Sequence, residues 1–361
     1  MSTAGTSLAE SLRKVTRGPL PTGSARRQAD GMTTRVGING FGRIGRNVFR
    51  AAANSDVEIV AINDLTGSGT LAHLLRYDSS LGRYPGTVEA HEDHLLIDGH
   101  RVEVTAVRNP AELPWKDLGV DVALESTGRF TAAADARAHL AAGARKVLVS
   151  APSPGADLTV AYGLNHGDYD PAAHDVVSNA SCTTNGLAPI ASVLDDLAGI
   201  ETGSMTTIHA YTQEQNLQDG PHRDLRRARA AALNIAPTTT GAATAIGLVL
   251  PRLAGRLTGY SVRVPVPVGS LVELNAVVER PVTATEINSA FEAAASGPLR
   301  GVLAYSADPL VSTDITGNPA SSLFDSLLTA ANGRLVKVVA WYDNEWGFAN
   351  RVVDTLTLLG R

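Results

Sequence analysis

A glycine-rich turn near the start of the chain constrains the fold more than any other feature. Gly40, Gly42 and Gly45 have the spacing G-x-G-x-x-G, follow the short apolar run 36–38 and precede an amphipathic segment that predicts a helix. Asp64 stands at the end of the next predicted strand, nineteen residues after Gly45. Strand, turn, helix, strand and acidic residue in this order predict a dinucleotide-binding unit.

Each residue of this turn has a separate physical role. Gly40 permits a tight turn, Gly42 lets the backbone approach a pyrophosphate, and Gly45 lets the helix pack close to the sheet. The free N–H groups of the helix N-terminus favour the phosphate charge. Asp64 would accept hydrogen bonds from ribose hydroxyls and repel a 2′-phosphate, which predicts NAD rather than NADP. The alternative is a purely structural glycine turn.

The first half of the chain alternates between apolar strands and helices. Strands are predicted at 58–62, 120–124, 146–150 and 176–178, with an Ala-rich helix at about 131–143. This alternation predicts an α/β fold with a Rossmann-type, doubly wound parallel sheet.

The pattern changes after residue 182. One helix is predicted at 183–198, followed by longer alternating strands at 205–210, 262–266, 272–278 and 335–342. A second, α+β domain with a mixed or antiparallel sheet is therefore expected. Residues 211–236 lack a clear period and predict a long functional loop with a helical segment.

We expect four parts along the chain. They are a disordered N-terminal extension at 1–33, a NAD-binding domain at 34–181, a catalytic domain at 182–345, and a helix at 346–361 that packs back on the first domain. The extension has no apolar segment long enough for a secretory signal. A start codon assigned upstream of Met32 explains it as well, and a targeting segment is the weaker alternative.

Composition excludes several functional classes. The formal net charge of -5 disfavours a nucleic-acid partner, and the chain has no apolar run of membrane-spanning length. A single cysteine cannot form an internal disulfide or a thiolate-rich metal site, and the nine histidines lack metal-ligand spacing, so no metal is expected. A reducing, cytoplasmic location is expected.

That cysteine, Cys182, is the candidate nucleophile. It follows a predicted strand, opens a predicted helix and lies within Ser-Asn-Ala-Ser-Cys-Thr-Thr-Asn at 178–185. A helix N-terminus is expected to lower the pKa of the thiol. The predicted strand that returns from this helix ends at His209, which places a possible base beside the thiol. A buried, inert cysteine and a structural histidine are the alternatives.

Three groups of residues could bind anions. The segment 223–229 carries four arginines, residues 237–241 supply hydroxyls and a backbone turn, and Arg263 stands in an apolar strand. Arginine with threonine hydroxyls is typical of phosphate sites. Most of 223–229 can equally be a solvated or subunit-facing helix. Arg263 is more informative, because an arginine in a buried strand needs a partner.

Six stretches of the chain closely resemble phosphorylating glyceraldehyde-3-phosphate dehydrogenase, and the resemblance runs from about residue 34 to 361. The stretches are Asn39–Gly45, Ser178–Asn185, His209–Thr212, Arg226–Ala232, Pro237–Ala243 and Trp341–Arg351.

The resemblance implies a role for each matching residue. Cys182 is the nucleophile and His209 activates it. The residues implied in NAD binding, besides the three glycines, are Arg43, Ile44, Asp64, Arg108, Ser150 and Asn344. Thr212 and Arg263 are implied in binding the substrate phosphate. The attacking inorganic phosphate is assigned to Ser181, Thr183, Arg227, Thr240 and Gly241. A homotetramer that converts glyceraldehyde 3-phosphate and inorganic phosphate is expected, with an Arg-rich loop lying against a neighbouring subunit's cofactor.

The chain departs from the family pattern at three places. Gly186 replaces the usual second cysteine, Gln213-Glu214 stands where the family usually has Asn-Asp, and Phe348 replaces a tyrosine. Because these changes surround the thiol, the chain could be a second isozyme that tolerates an electrophilic inhibitor. The enzymatic alternatives are an erythrose-4-phosphate dehydrogenase and a non-phosphorylating aldehyde dehydrogenase. A thiol-based redox sensor is the alternative from another class.

Overall fold

The computed structural model describes residues 33–361, and the predicted extension at 1–33 lies almost entirely outside them. In the first half of the chain the strands and helices are, in order, β1 (Thr34–Asn39), α1 (Arg43–Ala52), β2 (Val57–Asn63), α2 (Ser68–Arg76), β3 (Tyr77–Asp78), β4 (Gly82–Arg83), β5 (Val88–Ala90), β6 (His94–Ile97), β7 (His100–Thr105), β8 (Val122–Glu125), α3 (Ala133–Ala136), α4 (Ala138–Ala141), β9 (Lys146–Val149), β10 (Leu158–Thr159) and β11 (Val176–Ser178).

The second half contains the remaining helices and strands. They are α5 (Cys182–Ala198), β12 (Ile200–Ala210), β13 (Ala236–Thr238), α6 (Ala242–Val249), β14 (Leu257–Val264), β15 (Ser270–Val278), α7 (Ala284–Ser296), β16 (Leu303–Ser306), β17 (Ser322–Asp325), β18 (Ala330–Asn332), β19 (Leu335–Tyr342) and α8 (Trp346–Leu359).

The first sheet has nine strands in the order β10-β11-β9-β8-β1-β2-β7-β6-β5. Every pair from β10 to β7 is parallel, whereas β6 and β5 form antiparallel pairs at one edge. The central strands are mostly buried, as expected for a parallel sheet that helices cover on both faces. The predicted doubly wound sheet is confirmed. The antiparallel edge was not predicted, because β5 and β6 are only three and four residues long and carry little local pattern.

The second sheet has the order β13-β14-β12-β15-β19-β17-β16, with β18 paired to β19. The pairs β12–β14 and β16–β17 are parallel and the others antiparallel, so the predicted mixed sheet is confirmed. Along β15 buried and half-buried residues alternate, as expected for a sheet with one face on the core. α5 lies on that core and is buried along most of its length.

Two predictions about local structure were wrong. The Ala-rich helix expected at 131–143 is two four-residue helices, α3 and α4, which meet at Arg137. Residues 211–235 form turns and bends with no helix, and the segment ends in β13. Arg227 bonds Thr238 and pairs with Glu214, and such contacts between residues far apart in sequence fix the segment without a helical repeat.

The terminal helix α8 packs against the first sheet rather than the second. Its apolar side chains Phe348, Val352 and Leu356 belong to the same buried cluster as Val36 and Ile38 of β1. α8 therefore packs beside α1 on the same face of the first sheet, and the residues just before α8 lie close to α1.

Candidate active site

The only cysteine lies where the cores of the two sheets meet. Cys182 opens α5, and its side chain packs against the buried clusters of both sheets. Its Sγ lies 3.3 Å from Nε2 of His209, at the end of β12. β12 returns the chain to the point where α5 began, which brings the thiol and the imidazole together.

Burial controls the protonation of this pair. Desolvation raises the pKa of the Cys182 thiol, an effect that the positive charge of Arg263 only partly offsets. The backbone N–H groups of Cys182 and Thr183 at the helix N-terminus do lower this pKa, as expected, but desolvation outweighs them and the net pKa is raised. Burial, followed by the charge of Arg263, lowers the pKa of His209 to about 3. At neutral pH both side chains are uncharged.

The second ring nitrogen of His209 has two partners that require opposite tautomers. Arg263 Nη1 lies 2.6 Å from Nδ1 and can only donate, which makes Nδ1 an acceptor and puts the proton on Nε2. The carbonyl oxygen of Ala210, also 2.6 Å away, instead accepts from a protonated Nδ1. When Arg263 turns away, the second tautomer is favoured and Nε2 becomes free to accept a proton.

Arg263 is the arginine that the sequence placed in an apolar strand. Its side chain, 12% exposed, donates to the Ala210 carbonyl at 3.1 Å and to Glu214 Oε1 at 2.8 Å. Thr212, from the same predicted phosphate site, donates to the same Glu214 oxygen at 3.4 Å. The two predicted substrate-phosphate residues therefore converge on one carboxylate.

The residues assigned to inorganic phosphate lie in two separate parts of the chain. Arg227 donates to Thr238 Oγ1 at 2.9 Å and pairs with Glu214 Oε2 at 2.7 Å. Thr240 accepts from the N–H of Ala242 at 3.2 Å, and the exposed Gly241 precedes α6. Thr240 and Gly241 follow directly after Thr238 and Thr239, the two residues that Arg227 contacts.

Ser181 and Thr183 adjoin the thiol directly. Ser181 caps α5 by accepting the N–H of Thr184 at 3.0 Å. Thr183 Oγ1 lies 3.0 Å from the hydroxyl of Tyr342, which also bonds Thr207 at 2.7 Å. Tyr342 thus fixes Thr183. Its ring also packs in an edge-to-face arrangement with the His209 ring, and the centroids of the two rings are 5.9 Å apart.

The glycine turn has the stereochemistry of a phosphate cradle. Gly40 has φ +95°, and a Cβ there would lie 2.7 Å from the backbone nitrogen of Thr127. A Cβ on Gly45 would lie 2.3 Å from the Gly40 carbonyl oxygen, whereas at Gly42 the space is open. Gly42 is the N-cap of α1, and no side chain caps the helix. The first N–H groups of α1 are therefore available to a diphosphate, as a dinucleotide requires.

Asp64 and Arg43 take part in contacts that fix this turn. Asp64 Oδ2 accepts the N–H of Phe41 at 2.9 Å, so the carboxylate ties the end of β2 to the turn. The Arg43 side chain forms ion pairs with Asp78 and with Glu345, which precedes α8. Burial alone would lower the pKa of Arg43, but the two carboxylates together raise it.

The other predicted cofactor residues occupy different positions. Ile44 is half-buried on the first turn of α1. Ser150 follows β9 and donates to the Glu125 carbonyl at 3.0 Å. Asn344 is buried and accepts from Ser270, which also accepts the N–H of Ala210. Arg108 is exposed after β7, and among residues 33–361 no hydrogen bond joins it to the other predicted cofactor residues.

The sequence did not identify several residues that contact and position the candidate site residues. Glu214 was noted only as a departure from a family pattern, and Tyr342 only as the end of a strand. Glu125, at the end of β8, accepts from Asn39 at 2.6 Å and lies 3.0 Å from His139 Nε2, all three being buried. A polar residue at the end of a buried apolar strand was the available signal for Asn39 and Glu125.

Comparison with known proteins agrees with this geometry. The NAD binding domain of glyceraldehyde 3-phosphate dehydrogenase matches residues 34–133, and the C-terminal domain of the same family matches residues 181–344. The glyceraldehyde-3-phosphate dehydrogenase of Kitasatospora aureofaciens is 68% identical over 328 residues, which are 90% of this chain and 99% of that protein.

Two further relatives come from one organism, Streptomyces arenae. Glyceraldehyde-3-phosphate dehydrogenases 1 and 2 of that organism are 60% and 59% identical, each over 91% of this chain and 99% of their own length. The two family domains together span more than half of the chain, and one of them is an NAD binding domain. The chain therefore belongs to the glyceraldehyde-3-phosphate dehydrogenase family and is an NAD-dependent enzyme.

Proposed function

We propose that this enzyme oxidises and phosphorylates D-glyceraldehyde 3-phosphate to 1,3-bisphosphoglycerate, a step of glycolysis and gluconeogenesis. The observation that carries the proposal is the 3.3 Å contact between Cys182 Sγ and His209 Nε2, with Arg263 2.6 Å from the second ring nitrogen of His209. An aldehyde that carries one phosphate and is attacked by another requires such an arrangement.

Substrate binding would activate the resting pair. The phosphate of the aldehyde binds Arg263 and Thr212, and its negative charge offsets the charge that lowers the pKa of His209. Nδ1 can then donate to the Ala210 carbonyl, and Nε2 accepts the proton of the Cys182 thiol. The thiolate therefore forms mainly when a phosphorylated substrate is present.

The thiolate attacks the aldehyde carbon and forms a hemithioacetal. The backbone N–H of Cys182 and the protonated Nε2 of His209 stabilise the oxyanion. His209 holds the hydroxyl proton and removes it as the carbonyl re-forms. NAD, held by the glycine turn and Asp64, supplies the hydride acceptor when bound. The product on Cys182 is a thioester.

Inorganic phosphate then attacks the thioester carbon and releases the acyl phosphate and the thiolate. Arg227, Ser181, Thr183, Thr240 and Gly241 are proposed to bind this phosphate. The hydrogen bond from Tyr342 fixes the hydroxyl of Thr183 beside the thiol.

One assay tests the whole proposal. Purified protein is mixed with NAD, glyceraldehyde 3-phosphate and phosphate, and NADH absorbance is followed. NADH formation that depends on phosphate supports the proposal, whereas turnover without phosphate or arsenate indicates a non-phosphorylating dehydrogenase. A reactive thiol without turnover would indicate a sensor. A higher kcat/KM for erythrose 4-phosphate than for glyceraldehyde 3-phosphate would favour the alternative sugar.

We also propose a cytoplasmic homotetramer. Four apolar side chains in the 211–235 segment are at least 71% exposed, which is unusual unless another copy covers them. They are Leu217, Leu225, Leu233 and Ile235. Among the described residues, no helix is long and apolar enough to cross a membrane. Light scattering during size-exclusion chromatography measures the assembly, and a monomeric mass would refute it.

The inhibitor-tolerant isozyme is a further proposal. A Cβ on Gly186 would lie 3.0 Å from Cδ1 of Tyr342, so a cysteine there would press on the residue that fixes Thr183. Glycine at position 186 therefore removes a second thiol and avoids this contact with Tyr342. Gly186→Cys, combined with Gln213→Asn and Glu214→Asp, should increase inactivation by electrophiles. Unchanged inactivation rates would refute the proposal.

A further inference from the structure

The carboxylate of Glu214 pairs with one arginine from each of the two proposed phosphate sites. Oε1 lies 2.8 Å from Arg263 Nη2, and Oε2 lies 2.7 Å from Arg227 Nη1. Arg263 belongs to the proposed site for the substrate phosphate and Arg227 to the proposed site for inorganic phosphate. The carboxylate therefore occupies a donor from each site in the resting protein.

The three side chains differ in exposure. The Arg227 and Arg263 side chains are 13% and 12% exposed, whereas the Glu214 side chain is 45% exposed. Glu214 thus lies on the solvent side of two nearly buried arginines. Its side chain can rotate away from them into water. In addition, Nε of Arg263 is buried without a hydrogen-bond partner among the residues that the structure describes. This donor is available to a ligand with more oxygens than a carboxylate has.

Neither arginine depends on Glu214 for its position. Arg227 also contacts Thr238 at 2.9 Å and Asp224 at 3.4 Å. Arg263 is also held by the Ala210 carbonyl and by His209. If Glu214 leaves, Arg227 keeps Thr238 and Asp224 and Arg263 keeps the Ala210 carbonyl, so the carboxylate competes for donors rather than building the site.

We propose that Glu214 is an internal competitor for phosphate, displaced from both arginines when either phosphate binds. The inference rests on the proposed function, because it assigns the two arginines to two phosphates. Since both oxygens belong to one carboxylate, its rotation away from Arg263 also frees Arg227. Occupation of the substrate site should therefore strengthen binding of inorganic phosphate at the second site. Glu214 would then set the order in which anions bind.

The test measures anion binding without turnover. The NAD-saturated full chain is titrated with inorganic phosphate, with and without saturating glycerol 3-phosphate, a phosphomonoester that cannot be oxidised at an aldehyde carbon. Binding is followed by calorimetry. Wild type is compared with Glu214→Gln, Glu214→Asp and Glu201→Gln. Glu201 is the matched control, because it lies at the opposite end of β12 from His209 and pairs with Arg334. Its replacement by glutamine removes the same charge.

The wild type should bind inorganic phosphate more tightly when glycerol 3-phosphate is present. Glu214→Gln should bind phosphate about three- to tenfold more tightly than wild type, as expected for removing one or two partly exposed ion pairs, and should lose the coupling. Glu214→Asp, one methylene shorter, keeps the charge but spans the two arginines poorly, so its coupling should also fall. Glu201→Gln should behave as wild type. In turnover, Glu214→Gln should lower the KM for phosphate more than it changes kcat.

Equal or weaker phosphate binding by Glu214→Gln would overturn the proposal, because it would show that the carboxylate builds the site. Unchanged coupling in Glu214→Asp would overturn it too, and this variant carries the test if Glu214→Gln does not fold. If the enzyme turns over but the Glu214 variants bind phosphate as wild type does, this inference alone is refuted. The expected binding changes without turnover would refute only the proposed function.

Discussion

Replacing Arg263 with glutamine should raise the pKa of His209 without returning it to the ordinary value. Burial is the largest cause of the low pKa of about 3, and the charge of Arg263 is the next. Arg263 Nη1 lies 2.6 Å from His209 Nδ1. Unit charges centred about 5 Å apart interact by roughly 3 kcal/mol at an effective dielectric constant of ~20, or about 2 pKa units.

Neighbouring charges reduce this figure. Glu214, 2.8 Å from the guanidinium of Arg263, offsets part of its field, and the more distant Arg227 continues to lower the pKa. Tyr342 and Cys182, the other titratable groups against the ring, are uncharged at neutral pH because burial raises the pKa of each. We therefore expect a rise of about 1–2 pKa units in Arg263→Gln, with burial keeping the pKa below that of an exposed histidine.

Nuclear magnetic resonance of labelled histidine measures this pKa directly, with the His209 signal assigned by its loss in His209→Asn. Arg263→Lys keeps the positive charge and is the matched control, for which a much smaller shift is expected. An unchanged pKa in Arg263→Gln, or an equal rise in Arg263→Lys, would refute the electrostatic explanation.

The same shift changes stability at low pH. The unfolded chain protonates this imidazole near pH 6.5, and the folded chain only near pH 3, so stability falls as the pH drops through that window. Because its folded-state pKa is higher, Arg263→Gln should lose less stability over that window. Chemical denaturation at pH 4 and pH 7 compares the two proteins, and an equal loss in both would contradict the predicted rise in pKa.

Three substitutions test other contacts. Gly45→Ala should lower the free energy of unfolding by about 1–3 kcal/mol in chemical denaturation, because its Cβ would meet the Gly40 carbonyl; unchanged stability would contradict the close packing. Asp64→Ala should weaken NAD binding by roughly 1.5–3 kcal/mol and reduce the preference for NAD over NADP, as kcat/KM for the two cofactors would reveal; an unaltered ratio would argue against the ribose contact. Gly186→Cys alone should lower the melting temperature through its contact with Tyr342, and an equal melting temperature would show that the ring can move aside.

The parts of the fold that sequence predicted are those that depend on local pattern. Buried strands such as β1 and β11 contain short apolar stretches, and α5 begins within one residue of the predicted start. The edge strands β5 to β7 and the break between α3 and α4 were missed, because tertiary contacts rather than local pattern decide them. The division into domains at residue 181 and the site assignments stay predictions.

The electrostatics of the site could not be predicted from residue types alone. Sequence placed the thiol at a helix N-terminus, which lowers its pKa, but the larger effect of desolvation is a property of the packed junction between the two cores. Likewise, Glu214 has no local signal that it reaches two arginines 13 and 49 residues further along the chain. Such contacts depend on how the 211–235 segment folds back on β14.

The central claim is that Cys182 carries the acyl group during turnover. Intact-mass and peptide mass spectrometry, after mixing the enzyme with NAD and glyceraldehyde 3-phosphate without inorganic phosphate, tests it most directly. We expect one 3-phosphoglyceroyl group on the peptide that contains Cys182, and its release when phosphate is added. NADH formation with no adduct on that peptide, or an adduct on another residue that phosphate releases, would contradict the account.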